Sequence, residues 1–417
     1  MIDRSKPAVL HVATINHPIR PNLGYAPIES VIHDISTGLY LSGHRTIVAC
    51  SGDSLVSGEH CVTVERSIGA YCSDKTRASH RIMREHYAKA LRRAKRGDID
   101  IIHMHDADAV EFMYDSAFEM NIPIVMTLHV DANESHMQGG YQRWCSPLLQ
   151  LPMVNCTAIS DFQKRQYGTV ANARDVVHHG LDVSGYPVKE VPDKESYLFT
   201  IGRVTPDKGQ DKAIRIALET GCKLIIAGCV QNKHADREFF RQLQGDIDLS
   251  VEVGKEPAGD DYYVRVIKPL MDSDRQIIYI GEINAEHKKH WYRHARATLF
   301  PIQWGEPFGL VLIESMACGT PVIAMNKGSV PEIIADGRTG FVVDSVGAMV
   351  EAMGVIDNIK PRDCREHVER HFSLKSMALK YSMLYSRILC EHQAPDTHSS
   401  LSSGYRLNAM QPAAPTA

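Results

Sequence analysis

The run Pro-Phe-Gly-Leu that starts at Pro307 has the features of a loop that enters a helix and binds an anion. A strand should end near Pro301, and Pro307 would fit at or near the first position of the following helix. That helix should begin at Phe308, Gly309 and Leu310. The N–H groups of a first turn lack partners within the helix and lie at the positive end of its dipole. Because Gly309 has no Cβ, a ligand could approach this backbone closely.

Two carboxylates flank this predicted helix start. Glu306 precedes it, and Glu314 follows eight residues later, between one and two turns into the helix. Acids beside an anion site are unexpected unless the ligand also presents hydroxyl groups, from which a carboxylate accepts hydrogen bonds. A sugar and a ribose joined through a diphosphate present such hydroxyls on both sides. The alternative is a loop glutamate and an exposed helical glutamate without a role.

Two cations share one predicted strand-end loop. Arg203 and Lys208 lie between Gly202 and Gly209, and they could neutralise a diphosphate leaving group without a metal. The alternative for each is a solvated surface side chain. In the first half of the chain, His129 follows a strand and could touch the donor sugar or the reaction centre. A histidine in that position is also commonly a satisfied structural residue.

A metal centre is the other chemistry that the sequence suggests, and we do not expect one. His103 and His105 alternate along a predicted strand and therefore share a face, with Asp106 and Asp108 next to them. No third and fourth ligands follow at a useful spacing. We predict no metal and no other cofactor.

The elements that must position these residues alternate between short apolar strands and longer helical segments. Such alternation predicts a parallel sheet that is covered on both faces. The strands predicted in the first half are 9–13, 46–50, 99–104, 124–128 and 154–159, and the clearest helices are 27–42 and 76–96. The strands predicted in the second half are 197–201, 224–227, 277–280, 298–300, 322–324 and 341–343. Ligands bind outside the carboxyl ends of such strands.

Two doubly wound domains account for this pattern in 417 residues. We predict a first domain over 1–185, a linker rich in charge and proline over 186–196, and a second domain over 197–364. Residues 231–262 read as a polar insertion in the second domain. An amphipathic pattern predicts a final helix over 365–391. The tail from 392 to 417, rich in Ser, Pro and Ala, should be disordered.

Composition limits the partners and the location. The net charge of −4 gives no reason to expect nucleic acid. The ten cysteines include no pair with C-x-x-C spacing, which favours free thiols in a reducing compartment. The N-terminal residues have no signal-peptide pattern, and no stretch is apolar enough to span a membrane. We therefore expect a soluble cytoplasmic protein that is at most attached to the inner membrane face.

The segment 75–96 is strongly basic, with nine Lys or Arg residues against one acid, Glu85. An apolar stripe at helical spacing runs through it at Met83, Tyr87, Leu91 and Ala94. A solvated helix face packed on the core explains the segment. The second interpretation is contact with anionic lipid or with an acidic acceptor.

The carboxylate pair and its surroundings resemble the E-x7-E motif of retaining glycosyltransferases of family 4, and the resemblance covers nearly the whole chain. Residues 202–209 resemble the family's G-R-x4-K-G loop, and 326–341 resemble the continuation of its motif. In the first half, Gly24 stands where the family has a glycine-rich loop, although the family usually has two adjacent glycines there. His129 resembles the family's active-site histidine, and 178–182 resembles its entry to the linker.

This resemblance implies a GT-B fold, in which two Rossmann-like domains face each other across a cleft, the acceptor domain first and the donor domain second. It implies that Glu314 binds the ribose, that Glu306 binds the transferred sugar, and that the final helix crosses back to the first domain. The donor expected first is UDP-glucose and next GDP-mannose, with an unidentified acceptor. The alternatives are a phosphorylase, a sugar-nucleotide epimerase, or an inactive nucleotide-sugar sensor.

Overall fold

A computed structural model describes residues 5–21, 23, 26–70, 77–130, 146–168, 171–192 and 196–393. The predictions for Gly24 and for the tail beyond residue 393 lie outside these described residues.

The first half forms one sheet of seven parallel strands in the order β3-β2-β1-β4-β5-β6-β7. The strands are β1 (Ala8–Val12), β2 (Arg45–Ser51), β3 (Glu59–Val64), β4 (Ile101–Met104), β5 (Ile124–Thr127), β6 (Val154–Ala158) and β7 (Ala173–Val176). The helices are α1 (Pro27–Leu41), α2 (Arg77–Ala94), α3 (Ala107–Glu119), α4 (Ser146–Leu149) and α5 (Asp161–Tyr167).

The second half forms another parallel sheet of seven strands in the order β10-β11-β9-β8-β12-β13-β14. Its strands are β8 (Leu198–Ile201), β9 (Leu224–Ala227), β10 (Leu249–Ser250), β11 (Ile277–Tyr279), β12 (Ala297–Phe300), β13 (Val322–Met325) and β14 (Gly340–Val343). The helices that follow the linker are α6 (Gln210–Thr220), α7 (His234–Leu243), α8 (Lys268–Met271), α9 (Ala285–His294), α10 (Leu310–Ala317), α11 (Val330–Ile333), α12 (Val346–Met353), α13 (Pro361–His371) and α14 (Leu374–Gln393).

The prediction of two doubly wound α/β domains is confirmed. Central strands such as β9 and β13 are buried along their whole length, as continuous apolar runs require in a sheet covered on both faces. Three edge strands were not predicted, namely β3, β7 and β10. The segment 231–262 is therefore not a simple insertion, since β10 extends the sheet and α7 buries Phe239 and Leu243.

The predicted linker is not a free spacer, because the part of it within 186–192 packs on the second domain. Lys189 is buried, its Nζ donates to the Ala295 carbonyl at 2.6 Å, and its N–H donates to the Cys318 carbonyl at 3.1 Å. The Tyr186 ring packs against the core of the second domain. The two prolines and several charges of this segment suggested that it buries little, but Lys189 is buried and the ring of Tyr186 packs on the second domain.

The single final helix predicted from 365 is instead two helices, α13 and α14, which are separated at Phe372 and Ser373. The break occurs where the chain pairs with Leu181: the Leu181 N–H donates to the Phe372 carbonyl at 2.9 Å, and the Leu374 N–H donates to the Leu181 carbonyl at 3.0 Å. Helix α13 packs on α10 of the second domain, and α14 packs on α1 of the first. The crossing to the first domain therefore begins at this break.

The basic segment forms α2, and its cations do not all face solvent. Arg93 is buried and pairs with Glu59 (2.6 Å) and Asp98 (2.7 Å). Arg93 is thus a structural residue, and the prediction that its charge belongs to a lipid-binding face is wrong. Arg92 and Lys95 remain exposed. Among the described residues, no helix is long and apolar enough to cross a membrane.

Candidate functional site

Strands β8 and β12 are neighbours, so the loops that follow them meet at one edge of the second sheet. Gly209 has a left-handed φ of 73°, and a Cβ there would lie 2.2 Å from the Pro301 carbonyl oxygen. The Gln303 N–H donates to the Asp207 carbonyl at 2.7 Å. Only glycine permits this close approach. The two motifs that the sequence places about a hundred residues apart therefore form one surface.

The catalytic cation and acid predicted from the sequence are in contact. Lys208 Nζ lies 2.8 Å from Glu306 Oε2, and both side chains are 15% exposed. The same ammonium group lies 5.0 Å from the centre of the Trp304 ring. Arg203 lies on the same loop, near the Cys229 thiol: burial raises the pKa of that thiol, and the positive charge of Arg203 opposes the rise. The ammonium group of Lys208 thus places a positive charge beside Glu306.

The helix start predicted at Phe308 is wrong by two residues. Helix α10 begins at Leu310, and Gly309 precedes it in a left-handed conformation with φ of 84°. Pro307 and Phe308 lie outside the helix, and the Phe308 ring is buried against His179 and Phe372. The N–H groups without an acceptor inside the helix are therefore those at Leu310 and the next residue, whereas the Phe308 N–H is not part of the first turn.

A second loop supports Glu306 from behind. The Ser329 N–H donates to the Glu306 carbonyl at 2.9 Å, and Ser329 Oγ donates to the Phe308 carbonyl at 2.8 Å. Gly328 has a φ of 65°, and a Cβ there would lie 2.3 Å from the Glu306 nitrogen. The segment that follows β13 therefore fixes the backbone on which Glu306 stands.

Glu314 is held by two residues of α9 that sequence reasoning missed. Its carboxylate is largely buried, with 7% of the residue exposed. Tyr292 donates to Oε2 at 3.1 Å, and Lys288 forms an ion pair with Oε1. Lys288 and Tyr292 are four residues apart and so share one helix face, which was the available sequence signal. Each glutamate of the motif is thus paired with a lysine.

His129 ends a row of hydrogen-bonded histidines that runs into the first domain. His105 Nδ1 lies 3.0 Å from His129 Nε2, and His11 Nδ1 lies 3.3 Å from His105 Nε2. Burial lowers the pKa of His129 and of His11 to about 3. These imidazoles are therefore neutral at physiological pH, and each has one donor and one acceptor nitrogen. His179 lies between the His129 ring (5.8 Å between centres) and Phe308 (4.9 Å), which connects His129 to the Glu306 loop.

The predicted metal candidates do not form a ligand set of their own. Asp106 caps α3 by accepting from the Asp108 N–H at 3.0 Å. His103 uses both nitrogens, with Tyr385 and Thr127 hydroxyls at 2.7 Å each.

The ring nitrogens of His11, His103 and His105 do lie within 4.8 Å of one another. His11 Nδ1 and His105 Nε2 hydrogen-bond with each other, and His103 uses both of its ring nitrogens with hydroxyl groups, so each of these nitrogens already has a partner. The cluster is better described as a hydrogen-bonded row.

Two family models match consecutive parts of this chain. Residues 28–184 match the model described as Glycosyltransferase Family 4. Residues 187–360 match the model described as Glycosyl transferases group 1. The boundary between them falls at the start of the segment that joins the two sheets.

Individual proteins resemble the chain along most of its length. The Bacillus subtilis protein YtcC, named as a glycosyltransferase, is 26% identical over 341 residues, which cover 73% of this chain and 77% of that protein. The phosphatidyl-myo-inositol mannosyltransferase of Mycolicibacterium smegmatis is 24% identical over 346 residues, which cover 79% of this chain and 81% of that protein. The solved structure of Anabaena Alr3699/HepE in complex with UDP-glucose covers 91% of this chain and 100% of that one, with a TM-score of 0.64 at 15% identity.

Proposed function

Since this chain belongs to the glycosyltransferases of family 4 and has their GT-B fold, we propose that it transfers a hexose from a nucleotide-sugar donor to an acceptor with retention of anomeric configuration. The observation that carries the proposal is the Lys208–Glu306 pair beside the first turn of α10, with Glu314 one turn further on. This arrangement offers an acceptor for sugar hydroxyls, positive charge for a diphosphate, and a second acceptor for a ribose.

The donor diphosphate binds at Arg203, Lys208 and the first N–H groups of α10. It competes with Glu306 for the ammonium group of Lys208, because the two lie 2.8 Å apart before the donor is present. Glu306 is then able to accept from hydroxyls of the transferred sugar. Gly309, without a Cβ, leaves the phosphates room beside the backbone.

The same cations make the reaction independent of a metal. They supply the charge that stabilises the departing diphosphate, which a divalent ion would otherwise provide. The segment Asp246-Ile247-Asp248 has the D-x-D spacing of a metal-binding loop but lies elsewhere. Asp248 accepts from the backbone N–H groups of Gln276 and Ile277 at the start of β11, at the edge of the sheet opposite to the Glu306 loop.

The reaction begins as the bond between the sugar and the phosphate loosens and positive charge develops on the sugar. Glu306 stabilises that charge, and the acceptor enters on the face from which the phosphate leaves. The leaving phosphate takes the proton of the acceptor hydroxyl, since the matched motifs offer no evident side-chain nucleophile. His129, neutral at physiological pH, hydrogen-bonds with the donor sugar from the first domain.

We propose UDP-glucose as the first donor to test and GDP-mannose as the second. A solved relative in fold contains UDP-glucose, and a relative in sequence is named as a mannosyltransferase. The experiment is a panel of nucleotide sugars, with thermal stabilisation and release of nucleoside diphosphate measured for each. Stabilisation and turnover by one donor family support the proposal. Turnover that requires inorganic phosphate would indicate a phosphorylase. Conversion of the donor sugar without an acceptor would indicate an epimerase, and stabilisation without turnover would indicate a sensor.

A further inference from the structure

Glu332 of the second domain reaches across to the first domain. It lies on α11, and its two carboxylate oxygens each accept a backbone N–H at 2.7 Å, one from Asp161 and one from Phe162. His178 Nε2 lies 3.2 Å from the same carboxylate. All three partners belong to the first half of the chain. One side chain therefore joins the two domains through three polar contacts.

The residues beside this contact touch the Glu306 loop. Ser160, immediately before Asp161, is fully buried, and its Oγ donates to the Pro307 carbonyl at 2.6 Å. The ring of Phe162 packs on Gly305, where a Cβ would lie 2.4 Å from the ring. The backbone on both sides of Glu306 is thus in contact with the opposite domain.

The contact is built for an ionised carboxylate. Partial burial raises the pKa of Glu332, but its hydrogen bonds with His178, Asp161 and Phe162 lower that pKa overall. Charge-assisted hydrogen bonds of this kind are about twice as strong as neutral ones. Among the described residues, the three groups that hydrogen-bond with this carboxylate all belong to the first domain, so the contact favours the closed arrangement of the domains over one in which they separate.

We propose that Glu332 is a positioning residue that couples closure of the two domains to the placement of Glu306. Closure brings Asp161 and Phe162 onto Glu332, and this places Ser160 and Phe162 against the loop from which Glu306 extends. Glu332 itself does not touch the reacting atoms. The inference rests on the proposed function, in which Glu306 acts on the transferred sugar.

The test compares Glu332→Ala with Glu332→Asp and with Glu219→Ala, which removes an exposed glutamate on α6. In Glu332→Ala, kcat should fall about 10- to 100-fold, because a small misplacement of a catalytic group costs that much. The dissociation constant of the nucleoside diphosphate should change less than about twofold, since Glu314 and Lys288 both lie within the second domain. Glu332→Asp should recover part of kcat, and Glu219→Ala should resemble the wild type.

Small-angle scattering gives a readout that does not depend on turnover. Glu332→Ala should be more extended than the wild type and Glu219→Ala. A Glu332→Ala variant that keeps its kcat and its compact shape would overturn the inference, as would equal losses in kcat and in nucleotide affinity. If Glu332→Ala does not fold, Ser160→Ala replaces it, with the same expected fall in kcat. A wild type that turns over no nucleotide sugar refutes the proposed function, whereas scattering still decides whether Glu332 holds the domains together.

Discussion

Lys288 should control the affinity for the ribose of the donor through Glu314. Lys288→Met removes the ion pair with Glu314 Oε1 and keeps the length of the side chain, so that Tyr292 is the one partner among the described residues that still donates to the carboxylate. A hydrogen bond to a charged group contributes about 1.5–3 kcal/mol, or about 10- to 150-fold in affinity. Glu314→Gln should raise the donor KM within this range. Lys288→Met acts indirectly and should raise it about 10-fold.

The assay compares a ribose donor with its 2′-deoxyribose counterpart in steady-state kinetics. The wild type should prefer the ribose donor, and Lys288→Met should lose part of that preference, while kcat changes little because the ribose does not change charge during the reaction. The control is Lys289→Met, which removes a lysine of the same helix that pairs with Glu286 instead. If Lys288→Met changes both donors equally, or lowers kcat alone, the assigned role is wrong.

Three further predictions concern the metal, pH and the membrane. Activity should survive EDTA, because Arg203, Lys208 and the first N–H groups of α10 supply the positive charge that stabilises the departing diphosphate. Activity that is lost to the chelator and restored by Mn²⁺ would contradict this. The free energy of unfolding should fall as pH is lowered from about 6.5 toward 4, because burial lowers the pKa of His86 from 6.5 to about 4, and only the unfolded chain binds its proton in that window. In His86→Gln, the free energy of unfolding obtained from denaturation curves should depend less steeply on pH, by up to about 1.4 kcal/mol per pH unit. An unchanged pH dependence would refute the assignment. Replacing Arg92, Lys95 and Arg96 by Gln should weaken binding to anionic vesicles and leave turnover of a soluble acceptor unchanged; a wild type that ignores such vesicles at low salt would exclude this role.

The sequence predicted the elements whose side chains are apolar on both faces. Strands such as β9 and β13 are continuous runs of aliphatic residues, so their type and position were clear. The edge strands β3 and β7 carry polar residues on partly exposed faces. Their composition does not indicate a strand, and they are strands because they pair with β2 and β6. The division of the final helix at Phe372 depended on a contact with Leu181, which is remote in sequence.

The residues proposed for the candidate site belong to two short motifs that the sequence places about a hundred residues apart. Glu306, Lys208 and Glu314 were proposed from their types and spacing, whereas the contact between Lys208 and Glu306 was not predicted, because it depends on β8 and β12 being neighbours in the sheet. The partners of Glu314 on α9 were not found, because a lysine and a tyrosine four residues apart are common on helices. The contact of Glu332 with the first domain required the relative position of two domains, which no local pattern contains.

The most direct test of the account is the kinetics of Glu306→Gln against donor concentration, with Glu314→Gln measured alongside. Glu306 faces the sugar that becomes positively charged, so its carboxylate should stabilise the transition state more than the bound donor. Glu306→Gln is predicted to lower kcat with little change in donor KM, whereas Glu314→Gln is predicted to raise donor KM with little change in kcat. A Glu306→Gln variant that loses donor affinity alone, or that turns over as fast as the wild type, would contradict the account.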